Sequence, residues 1–205
     1  MPKTKGERTR EHIVAASAPL FNRQGYAATS VADLVQATGL ERGGIYRHFQ
    51  GKDELAAAAF DHTLALYRHR VRSRVEAERG AAARLSAFGA ALASIVQDPV
   101  VAGGCPLLNT AVETDDAPGD GPRALLLRAR AGMQQMIGYA REIIEEGMAA
   151  GEFRPGLDAG EEAEMIVATF EGALMLTKLY DDPRFLATAA DRLRRQAREM
   201  SGAGS

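Results

Sequence analysis

Apolar side chains recur every three to four positions through most of the chain and nowhere alternate over a strand-length run, so the pattern predicts an all-α fold of about nine helices. The first runs over about 8–24 with Ile13, Leu20 and Phe21 on one side; Pro19 inside it removes a backbone donor and predicts a bend, and Gly25 is placed to end it. Ser30, with Asp33 three residues on, makes an approximate capping box for a short helix near 31–38. A turn at Gly39 leads to a second short helix at 42–48. A long helix opens near Lys52 and carries Leu55, Phe60, Leu64, Tyr67, Val71 and Val75. Helices follow at 81–97, with Leu85, Phe88, Leu92 and Val96, and at about 105–114. DDAPGDGP at 115–122 is the clearest loop. Long helices then cover 122–150, 158–180 and 183–200, before a low-complexity tail, SGAGS.

Composition agrees with the pattern. Alanine, the strongest helix former, occurs 38 times against five Tyr, seven Phe and no Trp. No run approaches the roughly 18 apolar residues of a membrane span, and the charged start MPKTKGERTREH lacks a secretory core. One cysteine allows no internal disulfide, so a cytosolic protein is expected. The net charge of −2 conceals an asymmetry: residues 1–52 hold eight Lys and Arg against four Asp and Glu, net +4, and the remainder is −6. A basic head on an acidic body points to a polyanion met by the head alone.

Residues 29–49, TSVADLVQATGLERGGIYRHF, predict two short helices around a tight turn. Val31, Leu34 and Val35 face inward from the first helix, and Ile45 and Phe49 from the second, with Leu40 at the corner. The unit is too small to bury its own core and needs the 8–24 helix behind it. That arrangement is a helix-turn-helix, whose second helix enters the DNA major groove. On that helix Arg42 can fork two hydrogen bonds to guanine. Gly43 and Gly44 each cost about 1 kcal/mol relative to alanine, which makes sense where backbone must approach bases or phosphates; a weak helix start is the alternative. Tyr46 and His48 can donate to phosphate; a half-buried aromatic and a plain surface histidine are the alternatives. Thr29, Ser30 and Lys52 stand at helix starts that suit phosphate, and an arm with Lys3, Lys5 and Arg8 could reach an adjacent groove. Double-stranded DNA is the predicted partner.

The stretch from Arg10 to Leu55 resembles the DNA-binding domain of the tetracycline-repressor (TetR) family, through LFNRQGY (20–26), TSVADL (29–34), TGL (38–40), GGIYRHF (43–49) and KDEL (52–55). Val35, where the family commonly has alanine, and Pro19 depart from its pattern. The resemblance implies a DNA-binding head over 1–52, a linking helix starting near 52, and an effector-binding and dimerisation domain over 53–205. It implies a homodimeric repressor on a palindromic operator, paired through the helices near 158–180 and 183–200. Their apolar faces are Ile166, Phe170, Ala173, Leu174 and Thr177, then Phe185, Ala189, Leu193 and Ala197; packing of the same stripes within one subunit is the alternative.

It also implies an effector pocket, for which Leu64, Tyr67, Phe88, Leu92, Leu108, Met133, Met136, Ile137, Phe170 and Leu174 are candidate lining residues; plain core is the competing reading. Cys105, within GGCPLLNTAVE (103–113), stands at a helix start that favours thiolate. With EGALMLTKLY (171–180) the segment is similar to a subgroup that includes regulators of electrophile and oxidant responses. Cys105 and Lys178 match its sensing cysteine and nearby lysine, and an inert buried cysteine is the alternative. The predicted trigger is therefore a small-molecule effector or an electrophile.

No cofactor is predicted. His12, His48, His62 and His69 show no metal-ligand spacing, and Glu145-Glu146 and Glu161-Glu162 read as solvated helix ends. An enzyme is thus disfavoured, and a helical scaffold or ligand-binding protein without DNA contact is the remaining rival.

Overall fold

The computed structural model describes residues 3–115 and 117–202, and among them nine helices and no strand. These are α1 (Lys5–Ala28), α2 (Val31–Thr38), α3 (Arg42–Tyr46), α4 (Lys52–Glu76), α5 (Ala81–Ala93), α6 (Pro106–Thr114), α7 (Asp120–Ala149), α8 (Ala159–Tyr180) and α9 (Arg184–Met200). Residue 116 of the predicted loop and residues 203–205 of the tail lie outside the described residues.

Four local expectations are corrected. The amino-terminal arm is helical from Lys5, because Thr4 and Glu7 cap each other across the first turn. Lys3 also pairs with Glu11 at 2.6 Å. Non-helical dihedrals within α1 fall at Gly25 (φ 84°, ψ 172°) and not at Pro19. Finally, α3 stops at Tyr46, two residues early, and α5 at Ala93, four early, leaving Val96 39% exposed.

Packing divides the chain into two units. The first comprises Met1–Leu66 with Val100–Ala131, and the second Tyr67–Pro99 with Gly132–Ser205. In the first, Ile13, Val14, Leu34, Ile45, Phe49 and Leu55 form a core against Leu20, Phe21, Val35, Leu40 and Ala58. Each fully buried side chain of this size contributes about 1.5–3 kcal/mol. The Nε2 atom of His12 lies 2.9 Å from the Thr38 carbonyl and ties α1 to the end of α2. Helix α6 joins this unit because it packs on α1.

In the second unit α5 lies against α8 and α9. Gly89 permits the approach: a Cβ there would stand 2.6 Å from Leu193 Cδ2 and 2.9 Å from Phe170 Cζ. The predicted dimer faces belong to this core. Ile166, Phe170, Ala173, Leu174 and Thr177 of α8, and Ala189, Leu193 and Ala197 of α9, are all buried within one chain, and Phe185 is half-buried. The apolar surface left on α8 lies on its other side, at Met165, Ala168, Gly172, Met175 and Leu179. There Met165 is 58%, Met175 53% and Leu179 69% exposed.

Candidate nucleic-acid interface

The head reads from its caps outward. Ser30 begins α2: its hydroxyl accepts the Asp33 amide at 3.2 Å and donates to the Asp33 carboxylate at 2.7 Å. That hydroxyl, and then the Ser30 amide, hold the Asp33 carboxyl below its usual range. Leu34 and Ile45 are fully buried and Phe49 nearly so, which turns the opposite side of α3 outward. On that side Arg42 and Gly43 are exposed, and Gly44, Tyr46 and His48 half-buried. Arg42 lies over the Tyr46 ring at 5.8 Å.

The glycine pair has no cause inside the chain. Nothing lies within 4 Å of a Cβ built on Gly43, and one on Gly44 would meet only the Leu40 Cβ at an ordinary 3.6 Å. Neither has a positive φ. Packing and backbone conformation would thus both accept alanine, yet the chain keeps two residues unfavourable in a helix.

Of the predicted phosphate ligands, Ser30 is exposed and Lys52 half-exposed at the start of α4. The Lys52 ammonium lies 4.5 Å from the Tyr26 ring centroid and donates to the Ala27 carbonyl at 3.4 Å. Thr29 is different: it is fully buried, and its hydroxyl donates to the Gly25 carbonyl at 2.6 Å. A phosphate role for that hydroxyl is withdrawn. Arg47 was missed from sequence. It is exposed, has no ion-pair partner among the described residues, and stands inside GGIYRHF, which was the available signal.

Tyr26 was also missed. Its hydroxyl donates to the Asp53 carboxylate, and its amide to Glu113 at 2.8 Å. Burial, then the bond to Asp53 and the charges of Asp53 and Glu113, push its phenol up to about 12, so it remains a donor at neutral pH.

The predicted effector residues fall in both units. Leu64 and Cys105 are buried in the first, where Leu108 is half-buried. In the second Phe88, Phe170 and Leu174 are buried; Tyr67, Leu92, Met133, Met136 and Ile137 are half-buried; and Lys178 is exposed. Cys105, 3% exposed, is the N-cap of α6. No described helix is long and apolar enough to cross a membrane.

An outward helix with an exposed arginine and a bare glycine pair, braced by two helices behind it, defines a helix-turn-helix DNA-binding protein. Family comparison specifies which. The profile described as "Bacterial regulatory proteins, tetR family" matches residues 13–59, and "Tetracyclin repressor-like, C-terminal domain" matches residues 81–193. A TetR transcriptional regulator from Chloroflexus aurantiacus is 40% identical, with a TM-score of 0.87 over 93% of this chain and 94% of that one. A TetR-family regulator from Cytophaga hutchinsonii is 30% identical, with a TM-score of 0.88 over 98% of each. The transcriptional repressor ComR of Escherichia coli is 28% identical over 80% of this chain and 76% of its own. The chain belongs to the tetracycline-repressor family. It is a DNA-binding transcriptional regulator and not an enzyme, in a family whose members form homodimers.

Proposed function

We propose that the protein is a repressor whose dimer reads a palindromic operator through two copies of α3. The supporting observation is the glycine pair at 43–44, with Gly43 exposed and Gly44 half-buried, sterically unexplained and flanked by Arg42 and Arg47, which have no ion-pair partner among the described residues. Arg42 reads a guanine in each half-site. Gly43 and Gly44 admit the DNA to the backbone. Ser30, Tyr46, Arg47, His48 and Lys52 hold phosphates on either side. Two such helices spaced by one DNA turn, about 34–36 Å, read both half-sites from one face.

Selection of bound DNA from a random pool tests this, and recovery of a palindrome is the expected result. On that operator, Lys52→Ala weakens all sequences alike and lowers the salt slope by about 0.9. Arg42→Ala relaxes discrimination at one base pair per half-site, by about 1–3 kcal/mol. An unselective pool, or an unchanged slope with Lys52→Ala, contradicts the assignment.

For the effector we propose a contact in the second unit, on α8. Along α8, Phe170, Leu174 and Thr177 share the inward side, and the Thr177 hydroxyl, 3% exposed, has no hydrogen-bond partner among the described residues. A buried orphan hydroxyl costs about 1–3 kcal/mol, and a small apolar effector carrying one polar atom would satisfy it. A thermal-shift screen finds such a ligand. Thr177→Val then raises the melting temperature of the free protein and loses most of the ligand-induced shift; an undiminished shift removes Thr177 from the site. Cys105 is buried, which shields its thiol from an electrophile in solvent.

A further inference from the structure

The segment 103–113 drew attention for its cysteine, yet the side chains that reach out of it are Asn109 and Glu113, one turn apart on the same side of α6. Both grip α1. The Asn109 amide donates to the Asn22 carbonyl at 2.9 Å, the Asn22 Oδ1 at 3.3 Å and the Gly103 carbonyl at 2.9 Å. Asn22 returns two bonds at 3.0 Å, to the carbonyls of Ala102 and Gly104. The fit leaves no slack: a Cβ on Gly103, which sits at φ 124°, would stand 2.5 Å from the Asn22 carbonyl oxygen.

Glu113 acts three residues further along α1. Gly25 leaves helical geometry, so the turn after it starts afresh, with amides that lack a carbonyl one turn back. One Glu113 oxygen accepts the Tyr26 amide and the other the Ala27 amide, both at 2.8 Å. A carboxylate at a helix start is electrostatically favoured. A Cβ on Gly25 would lie 2.5 Å from that carboxylate, so the glycine gives it room. The same turn is held from a second direction, since Tyr26 donates to Asp53 of α4, whose carboxylate abuts Gly121 in the first turn of α7. Thr29 closes the turn by donating to Gly25, and Ser30 opens α2 immediately afterwards.

We infer that Asn109 and Glu113 are positioning residues for DNA reading: α6 sets, through residues 25–29 of α1, the orientation from which the helix-turn-helix begins. The inference rests on the DNA-binding reading above. It gives GGCPLLNTAVE a mechanical role in place of a thiol-sensing one. It also places Lys52, whose ammonium lies over Tyr26, beside the same turn.

The test uses the operator recovered with the wild-type chain. Glu113→Gln keeps size and one acceptor oxygen, and removes a negative charge. Charge alone would tighten binding to a polyanion; loss of positioning weakens it. The expected result is a folded protein whose Tyr26 and Ala27 amides exchange about tenfold faster and whose folded fraction binds operator about tenfold more weakly, with an unchanged salt slope. Operator affinity within twofold of wild type, with those amides deprotected, overturns the inference while leaving the DNA-binding reading intact. If the wild-type chain selects no DNA, that reading falls and the inference with it. Should Glu113→Gln melt below the assay temperature, Glu113→Asp, which keeps the charge but withdraws it by one methylene, is judged by the same two measurements.

Discussion

Gly43→Ala is expected to make the protein more stable and a worse DNA binder. The stability gain follows from helix propensity: an alanine at a position with no positive φ and open space around it is worth about 0.5–1 kcal/mol over glycine. The loss of affinity follows from what that open space is for. A methyl group added where bases or phosphates must come close forces the recognition helix to back away, and both subunits carry the change. A drop of at least tenfold, about 1.4 kcal/mol, is expected. The two effects have opposite signs, which separates this explanation from any based on folding. Thermal melting and operator titration on one preparation check it. A stabilised protein with wild-type affinity shows that Gly43 lies away from the DNA; a destabilised one shows that the glycine is needed by the chain itself.

The head was largely legible from sequence because its determinants are local. Ser30 and Asp33 cap α2 as their spacing indicates, and Leu34, Ile45 and Phe49 meet in the core that their periodicity requires. Thr29 was misread for a physical reason: a hydroxyl at the end of a helix is as well satisfied by a carbonyl four residues back as by a phosphate, and residue type cannot distinguish them. The role of Glu113 at Gly25 was invisible because its two hydrogen bonds span more than eighty residues.

Helix α8 shows a different limit. Residues 166, 170, 173, 174 and 177 form one apolar stripe, and 165, 168, 172, 175 and 179 form another. When both sides of a helix are apolar, periodicity identifies a helix but cannot say which side its own chain covers. Packing decides. Gly89 lets α5 approach closely enough for Phe170 to be buried, which leaves Met175 and Leu179 outside.

That outward stripe carries the second large effect: Leu179→Glu should separate the dimer and with it the reading of a palindrome. In one chain Met165, Met175, Leu179 and the adjoining Tyr180 are more than half exposed, an unusual concentration of large apolar groups on a single helix. At about 1.5–3 kcal/mol for each large apolar side chain buried in full, their burial in a symmetric pair supplies on the order of 10 kcal/mol before the cost of association. Twofold symmetry puts the same patch on both sides, so one substitution places two carboxylates in a single apolar contact. The fold within the subunit is spared, because Leu179 makes no part of its core. Expected outcomes are an unchanged helical signal, a monomer by sedimentation at micromolar concentration, and operator affinity at least 100-fold weaker, near the level of non-specific binding. A variant that remains dimeric with full affinity would move the interface to another face, with the Arg-rich outer side of α9, at Arg192, Arg195 and Arg198, the next to be substituted.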